Sequence, residues 1–473
     1  MATADSVQKS APSDANDSSV NSDHVTFSIP VSTDHVEVPG QIRINTSVEQ
    51  TGSNGSSRRR FLTGSFHPQL DEDEENEIVS QAGDSGDRAL SRRGSKRGSG
   101  RVYANEEVVF PITVSQVTPF SSDVVNTISK DADPLMELEE KEKEKKELPP
   151  SFEYISYLIH LAVFGILGVL TRYLLQKLFG PSVAGVTSDS SILYLDLPSN
   201  MVGSFLMGWL GVVFKSNIAR FSDQLAIGLS TGYLGSLTTF SGWNQKMLDL
   251  SVHGHWVSAV LGFFLGLILA AGSISLGIET AEGFRWLLRR IGKRWGFKKW
   301  RVNRFKCNLV VLLVLVLMWA GLWTTSGILE KEKFRDGGSG AQLWLACFVG
   351  PLGVWMRWWL ARLNGRGVGT SGLWKWVPFG TLIANVSAAC VMAALATLKK
   401  AVNTKDCETV ATGIQFGLMG CLSTVSTLMA EFNALRKSSH PWRAYAYASM
   451  TIGISFGLGT LIYSVPVWTK GYN

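Results

Sequence analysis

Two stretches of this sequence, 185 residues apart, place glycine and hydroxyl side chains in the middle of apolar runs. They are Gly232-Tyr233-Leu234-Gly235-Ser236-Leu237-Thr238-Thr239-Phe240-Ser241-Gly242-Trp243 and Gly417-Leu418-Met419-Gly420-Cys421-Leu422-Ser423-Thr424-Val425-Ser426-Thr427-Leu428. Glycine and small hydroxyl residues are poor helix formers, so a helix should break there. In lipid the released backbone groups must find new partners. Two such breaks brought together would offer carbonyl oxygens to a cation, and N–H groups or hydroxyls (Ser241, Thr424 and Ser426 among them) to an anion. Close helix packing through small residues is the competing explanation. Hydroxyls recur in the last apolar run, where Tyr447, Thr451 and Ser455 share one helical face. Interfacial anchoring or packing would use the same residue types. Arg172 and Arg357 lie inside apolar runs, where an arginine costs about 2.5–3.5 kcal/mol at a bilayer centre. They could attract anions or snorkel to headgroups. Glu431 stands opposite Lys246 in the repeat and suits a pore mouth or loop better than a proton carrier, and His253, His255 and His440 have no ligand partners nearby. The apolar runs hold no Ser/His/Asp set, HExxH motif or paired carboxylates, so no enzyme is expected.

The elements that must hold these residues are membrane helices. Of 473 residues 45% are hydrophobic and 18% charged, but the two parts of the chain differ. Residues 1–150 carry 16 basic and 26 acidic side chains, a balance of −10; residues 151–473 carry 29 and 13, a balance of +16. The first part is rich in Ser, Asp, Glu, Gly and Lys and reads as a disordered cytoplasmic tail, with Arg92-Arg93-Gly94-Ser95 either a kinase target or a solvated basic patch. The second contains nine apolar runs, at 156–179, 192–214, 224–250, 256–278, 308–328, 343–363, 376–398, 409–434 and 443–465. Ten basic residues crowd into Arg285 to Lys306, a topology signal that places this loop, and with it the N-terminus, in the cytoplasm. That cluster accounts for the pI of about 9.0 without a nucleic-acid partner. Five cysteines without CxxC spacing predict neither a disulfide framework nor a metal cage.

The offset of 185 is general: it relates Gly165 to Gly350, Gly168 to Gly353, Arg172 to Arg357, Asn200 to Asn385, Gly235 to Gly420 and Thr239 to Thr424 without a gap. Four runs in residues 151–280 therefore return as four runs in 340–465, with one extra run between them inside a 281–339 connector, and 466–473 as a short C-terminal tail. An odd connector makes the second copy enter the bilayer from the opposite face. The expected fold is an all-α integral membrane protein of two inverted four-helix repeats joined by a single linking transmembrane helix, nine spans in all, with a broken third helix in each repeat.

Gly168-x-x-x-Arg172-Tyr173, Asn200-x-x-Gly203-Ser204-x-x-x-Gly208 and Gly232-x-x-Gly235-Ser236-x-Thr238-Thr239-Phe240-Ser241 resemble the motifs of Fluc-type fluoride channels, and the doubled chain resembles their eukaryotic form, the fluoride export proteins. The resemblance covers residues 155–465. It implies two narrow pores and a structural Na⁺ held by backbone carbonyls of Gly235, Thr238, Gly420 and Ser423. It implies pore asparagines at Asn200 and Asn385, whose amide N–H groups would replace water around a dehydrating anion, although an intramembrane asparagine also serves as an interhelical hydrogen bonder. The family's pore phenylalanines fall on Phe240 and Trp243, and in the second copy on Val425 and Leu428, which lack the positive ring edge an aromatic offers an anion. One conducting and one vestigial pore are expected. The family's hydroxyl ladder falls on Tyr447, Thr451 and Ser455, so aromatics survive in one copy and the ladder in the other, and the sequence does not say how they combine.

The expected function is a passive fluoride channel of the plasma membrane, working as a monomer. Neutral HF enters and dissociates, and the trapped anion leaves with help from a negative-inside potential of about 2.3 kcal/mol per charge per 100 mV. Neither a GxxxxGK[ST] loop nor an intramembrane carboxylate chain is present to drive a pump. A coupled small-ion or small-molecule exchanger, and a membrane scaffold or receptor acting through its tail, are the alternatives.

Overall fold

Apolar runs separated by short polar connections fold into helices throughout. The computed structural model describes residues 72–83, 150–189, 191–295, 305–334, 338–368 and 374–472, all within one compact unit, Pro68–Asn473. No strand occurs among the described residues. The tail expected over 1–150, with Arg92-Arg93-Gly94-Ser95, lies outside them except at residues 72–83, where helix α1 (Glu72–Ala82) stands against the rest of the unit. The first copy comprises α2 (Pro150–Phe179), α3 (Leu197–Leu206), α4 (Lys215–Phe221), α5 (Asp223–Ile227), α6 (Phe240–Val252) and α7 (Trp256–Trp295). The linker is α8 (Phe305–Lys333). The second copy comprises α9 (Ser339–Leu360), α10 (Phe379–Val402), α11 (Lys405–Ile414), α12 (Ser426–Arg436), α13 (Trp442–Gly459) and α14 (Val465–Lys470).

Seven helical segments among the described residues are long and apolar enough to cross a membrane, and an eighth if Leu197–Val213 and Lys215–Phe221, bent by 63°, form one span. The run at 224–250 is broken and is not among the counted spans, whereas its counterpart in the second copy, Lys405–Arg436, is counted. After α5 the chain widens into a π-helical stretch, Gly228–Leu234, makes one more turn to Leu237, and is extended at Thr238 (ψ 149°) and Thr239 (ψ 127°) before α6 begins. The second copy does the same: π-helix over Gln415–Met419, one turn to Leu422, an extended Ser423 (ψ 157°), then α12. Glycine and hydroxyl content thus breaks both helices where composition places the weak point. The basic segment expected as a loop behaves differently. α7 runs on to Trp295, because Glu279 to Trp295 is rich in good helix formers even though it is no longer apolar.

The first helices of the copies, α2 and α9, pack on each other, with Trp358 against Tyr154 and Tyr157 at ring separations of 5.6 and 6.2 Å. α8 leans on both through Leu312, Leu315 and Trp319 and leaves most of its apolar surface open, as a helix facing lipid would. Glycine is required where α2 and α9 meet the third helices: a Cβ on Gly168 would lie 2.6 Å from the Tyr233 carbonyl oxygen, and one on Gly353 2.2 Å from that of Leu418.

Candidate ion pathway

The two breaks cross at the centre of the unit and are stitched by reciprocal hydrogen bonds. Thr238 Oγ1 of the first copy accepts from the backbone N–H of Val425 and Ser426 (3.2 and 3.1 Å) and bonds Ser426 Oγ at 3.1 Å. Ser423 Oγ of the second accepts from Ser241 N (3.1 Å) and bonds Ser241 Oγ at 2.8 Å. Each copy's hydroxyl therefore satisfies the orphan N–H groups that begin the other copy's helix. The same reciprocity holds for the arginines. Arg172 donates to the carbonyl of Phe416 and lies over its ring, while Arg357 Nη2 donates to Thr231 O at 2.6 Å and Nε to Cys421 O at 2.9 Å. Pairings in which residue i meets j and the copy of i meets the copy of j are those of a two-fold interface.

Asn200 and Asn385 hold the breaks open. Asn200 Oδ1 accepts from Thr239 N at 2.9 Å, and Asn385 Oδ1 from Thr424 N at 2.7 Å. In a continuous helix those N–H groups would bond to the carbonyls of Gly235 and Gly420, four residues earlier. The two copies differ at the amide nitrogen. Asn200 Nδ2 donates to Thr239 O and to Tyr194 OH, both at 3.1 Å, so both its hydrogens are taken. Asn385 Nδ2 donates to Thr424 O at 3.1 Å and to nothing else among the described residues, because residue 379, where Tyr194 would be, is phenylalanine.

Two seams flank the crossing. Along one, α6 of the first copy packs against α10 and α13 of the second. Phe240, Asn244 and Leu248 share a face of α6. Asn244 Nδ2 reaches Ser455 O at 3.5 Å, and a Cβ on Gly459 would collide with Leu248. Ser455 Oγ and Asn244 Oδ1 are buried without a hydrogen-bond partner among the described residues. At one end of this seam the buried Glu431 accepts from Thr381 Oγ1 (2.6 Å), Tyr447 OH (2.7 Å) and Asn364 Nδ2 (3.4 Å). At the other end an open recess is lined by Gln245, Asp249, Lys399, Lys400, Glu408 and Tyr463. From Thr381 to Lys399 along α10 is about 27 Å at 1.5 Å per residue, close to the thickness of a bilayer core. The other seam lies where α12 meets α3 and α7, and the face of α6 toward Tyr194 and α7 of its own copy is filled. Trp243 stacks on Tyr194 at 6.1 Å, meets Phe263 and Phe240 at 5.7 and 5.8 Å, donates to Gly262 O, and uses the space left by Gly266.

The family described as "CrcB-like protein, Camphor Resistance (CrcB)" matches residues 159–278 and again residues 344–463, one match per copy. The chain belongs to the CrcB-like family. "Fluoride export protein 1" of Neurospora crassa is 27% identical to it over 384 residues, covering 67% of each chain. "Fluoride-specific ion channel FluC" of Geobacter metallireducens is 32% identical over 125 residues, 26% of this chain and 96% of its own, and that of Gluconobacter oxydans is 34% identical over 125 residues, 26% and 82%. No solved structure matches the chain.

In this CrcB-like chain the residues expected on the ion path separate into three groups. Asn385, Tyr447, Thr451 and Ser455 border the seam beside α6, together with the face that carries Phe240. Asn200 and Trp243 belong to the filled side, packed against Tyr194. Ser241, Thr424 and Ser426 are engaged in the crossing itself, Ser426 Oγ bonding Leu234 O at 3.1 Å and Ser241 Oγ bonding Met419 O at 3.4 Å. Arg172 and Arg357, expected to draw anions or reach headgroups, are 0% and 2% exposed, with guanidinium groups turned onto carbonyls of the third helices. Sequence reasoning missed Thr381, Asn364 and Asn244. Asn364 lies in the connection after α9 and Thr381 in the first turn of α10, with no motif at either, whereas Asn244, one turn after Phe240, had a signal in its spacing.

Proposed function

We propose that this protein is a passive fluoride channel that lets cytoplasmic fluoride leave across the plasma membrane, as a monomer. The names of its relatives support fluoride as the ion. The observation that carries the pathway is the seam between α6, α10 and α13, a buried polar ladder about as long as a bilayer core is thick and bounded by aromatic and aliphatic side chains. The seven spans, the bent pair within Leu197–Phe221 and the broken segment 223–252 add up to nine, reciprocal stitching with one linking helix supports two inverted copies, and the basic cluster from Arg285 to Lys306 supports an N-terminus in the cytoplasm.

A dehydrating fluoride needs N–H and O–H donors in place of water. Tyr447 and Thr381 already donate their hydroxyl hydrogens to Glu431 at one mouth, and Thr451 donates to Tyr447 O, so the donors left for the ion are the remaining amide hydrogen of Asn385 and the hydroxyl of Ser455, with the positive ring edge of Phe240 beside them. The opposite recess sets Lys399 and Lys400 against Asp249 and Glu408, a balanced group of charges. The aromatics of one copy and the ladder of the other thus act in the same conduit, and the Trp243 side is the vestigial one. A structural Na⁺ fits the crossing: the extended backbone at Thr238 and Ser423 turns their carbonyls out of the helical ladder, and the asparagines remove the donors of Gly235 and Gly420. Carbonyl oxygens suit a hard cation, which would supply a fixed positive charge clamping the two copies.

Proteoliposomes loaded with equal fluoride and chloride test the function. Fluoride should leave through the protein and chloride should not, and equal rates, or none above empty vesicles, would exclude it. Within the seam, Ser455→Ala should lower fluoride efflux by about 5- to 20-fold through the loss of one hydrogen bond to an ion, and Phe240→Ile by a similar factor through the loss of the positive ring edge. Undiminished flux in both would place the conduit elsewhere.

A further inference from the structure

We infer that α1 is a docked plug, belonging to the chain's own acidic segment, that closes the Glu431 mouth of the seam. The proposal rests on the reading of that seam as the fluoride path. α1 packs against α12, the helix that carries Glu431. Its docking surface comes from both copies. Ser439, between α12 and α13, donates its backbone N–H and its hydroxyl to the Glu75 carboxylate, at 3.1 and 2.7 Å. At the other end of the helix Lys215 Nζ donates to the carbonyls of Gln81 and Gly83, at 2.9 and 3.1 Å. A lysine there meets the negative end of the helix dipole and the carbonyls that have no partner within the helix. Val79 is 4% exposed whereas its neighbour Ile78 is 48% exposed, so one face is seated and the other is not.

The seat is the pathway's own mouth. Gly83 is buried, and a Cβ added to it would lie 2.2 Å from Glu431 Oε1, so the backbone there rests on the carboxylate that receives Tyr447 and Thr381. A side chain added at Gly83 would have to displace the Glu431 carboxylate. Glu74, Glu75 and Glu77 of α1 also bring acidic side chains to this end of the molecule, a field that repels an arriving anion and fades with ionic strength. A few hydrogen bonds and one seated apolar side chain hold the plug. Docking of that kind is reversible, and the chain between α1 and α2 keeps the released helix near its seat.

The full-length chain in proteoliposomes, compared with a deletion of residues 72–83, Gly83→Leu and Lys215→Glu, tests the plug. Initial fluoride efflux should rise at least fivefold in the deletion and in the two point variants. A water-soluble maleimide should label Val79→Cys slowly and Ile78→Cys quickly in the otherwise intact chain, and Val79→Cys quickly once Lys215→Glu is added. Efflux unchanged or lowered in all three variants of a conducting protein would overturn the plug, as would fast labelling of Val79→Cys in the intact chain. Fluoride efflux absent in every form, the deletion included, would instead overturn the channel function on which the plug depends.

Discussion

Asn385→Asp is expected to lower fluoride efflux by about 10- to 100-fold, the equivalent of losing a charge-assisted hydrogen bond of about 1.5–3 kcal/mol. The change is nearly isosteric and keeps the Oδ1 that accepts from Thr424 N, so the break in the third helix stays open. It removes the amide hydrogens, one of which has no other partner among the described residues, and puts a negative charge beside the passing anion. The same replacement at Asn200 should change efflux by less than about threefold, since its amide hydrogens serve Thr239 and Tyr194 on the filled side. Efflux measured with a fluoride electrode on matched proteoliposomes decides between them. A silent Asn385→Asp with an inactive Asn200→Asp would exchange the roles of the two seams.

Thr238→Val should destabilise the folded protein by about 2–6 kcal/mol, because it strands two buried N–H groups, those of Val425 and Ser426, at about 1–3 kcal/mol each. Valine has the shape of threonine, so the loss reports hydrogen bonding and not a cavity. Ser423→Ala, the counterpart in the other copy, strands the N–H of Ser241 and should cost about half as much, one donor instead of two. Reversible unfolding in detergent, followed by tryptophan fluorescence, measures both. A change below about 0.5 kcal/mol for Thr238→Val, within the ordinary range of a surface substitution, would mean that the crossing is held by packing alone.

The break at Thr238 and Ser423 was legible in the residues because glycine and hydroxyl content opposes helix locally, and local propensity is what a sequence displays most directly. The duplicated register was legible because 185 residues separate equivalent positions without a gap. Arg172 was ambiguous for the opposite reason. Its cost in an apolar run is plain, but the carbonyl that satisfies it belongs to Phe416, 244 residues away. Helix α1 was hidden in a segment whose acidity reads as solvated tail; its seat is assembled from Lys215, Ser439 and Glu431, none of which is near it in the chain.

Residue types and spacing by themselves determined a helical membrane protein, a doubled unit, two weak points in its helices, and a resemblance specific enough to name the ion. Only the tertiary structure decided which side is filled and which residues border the other. Trp243 turns toward Tyr194 while Asn244, one residue on, turns toward α13, because successive residues on a helix point about 100° apart. The partners waiting on each side come from different copies of the repeat, and no local pattern records which face will meet which copy.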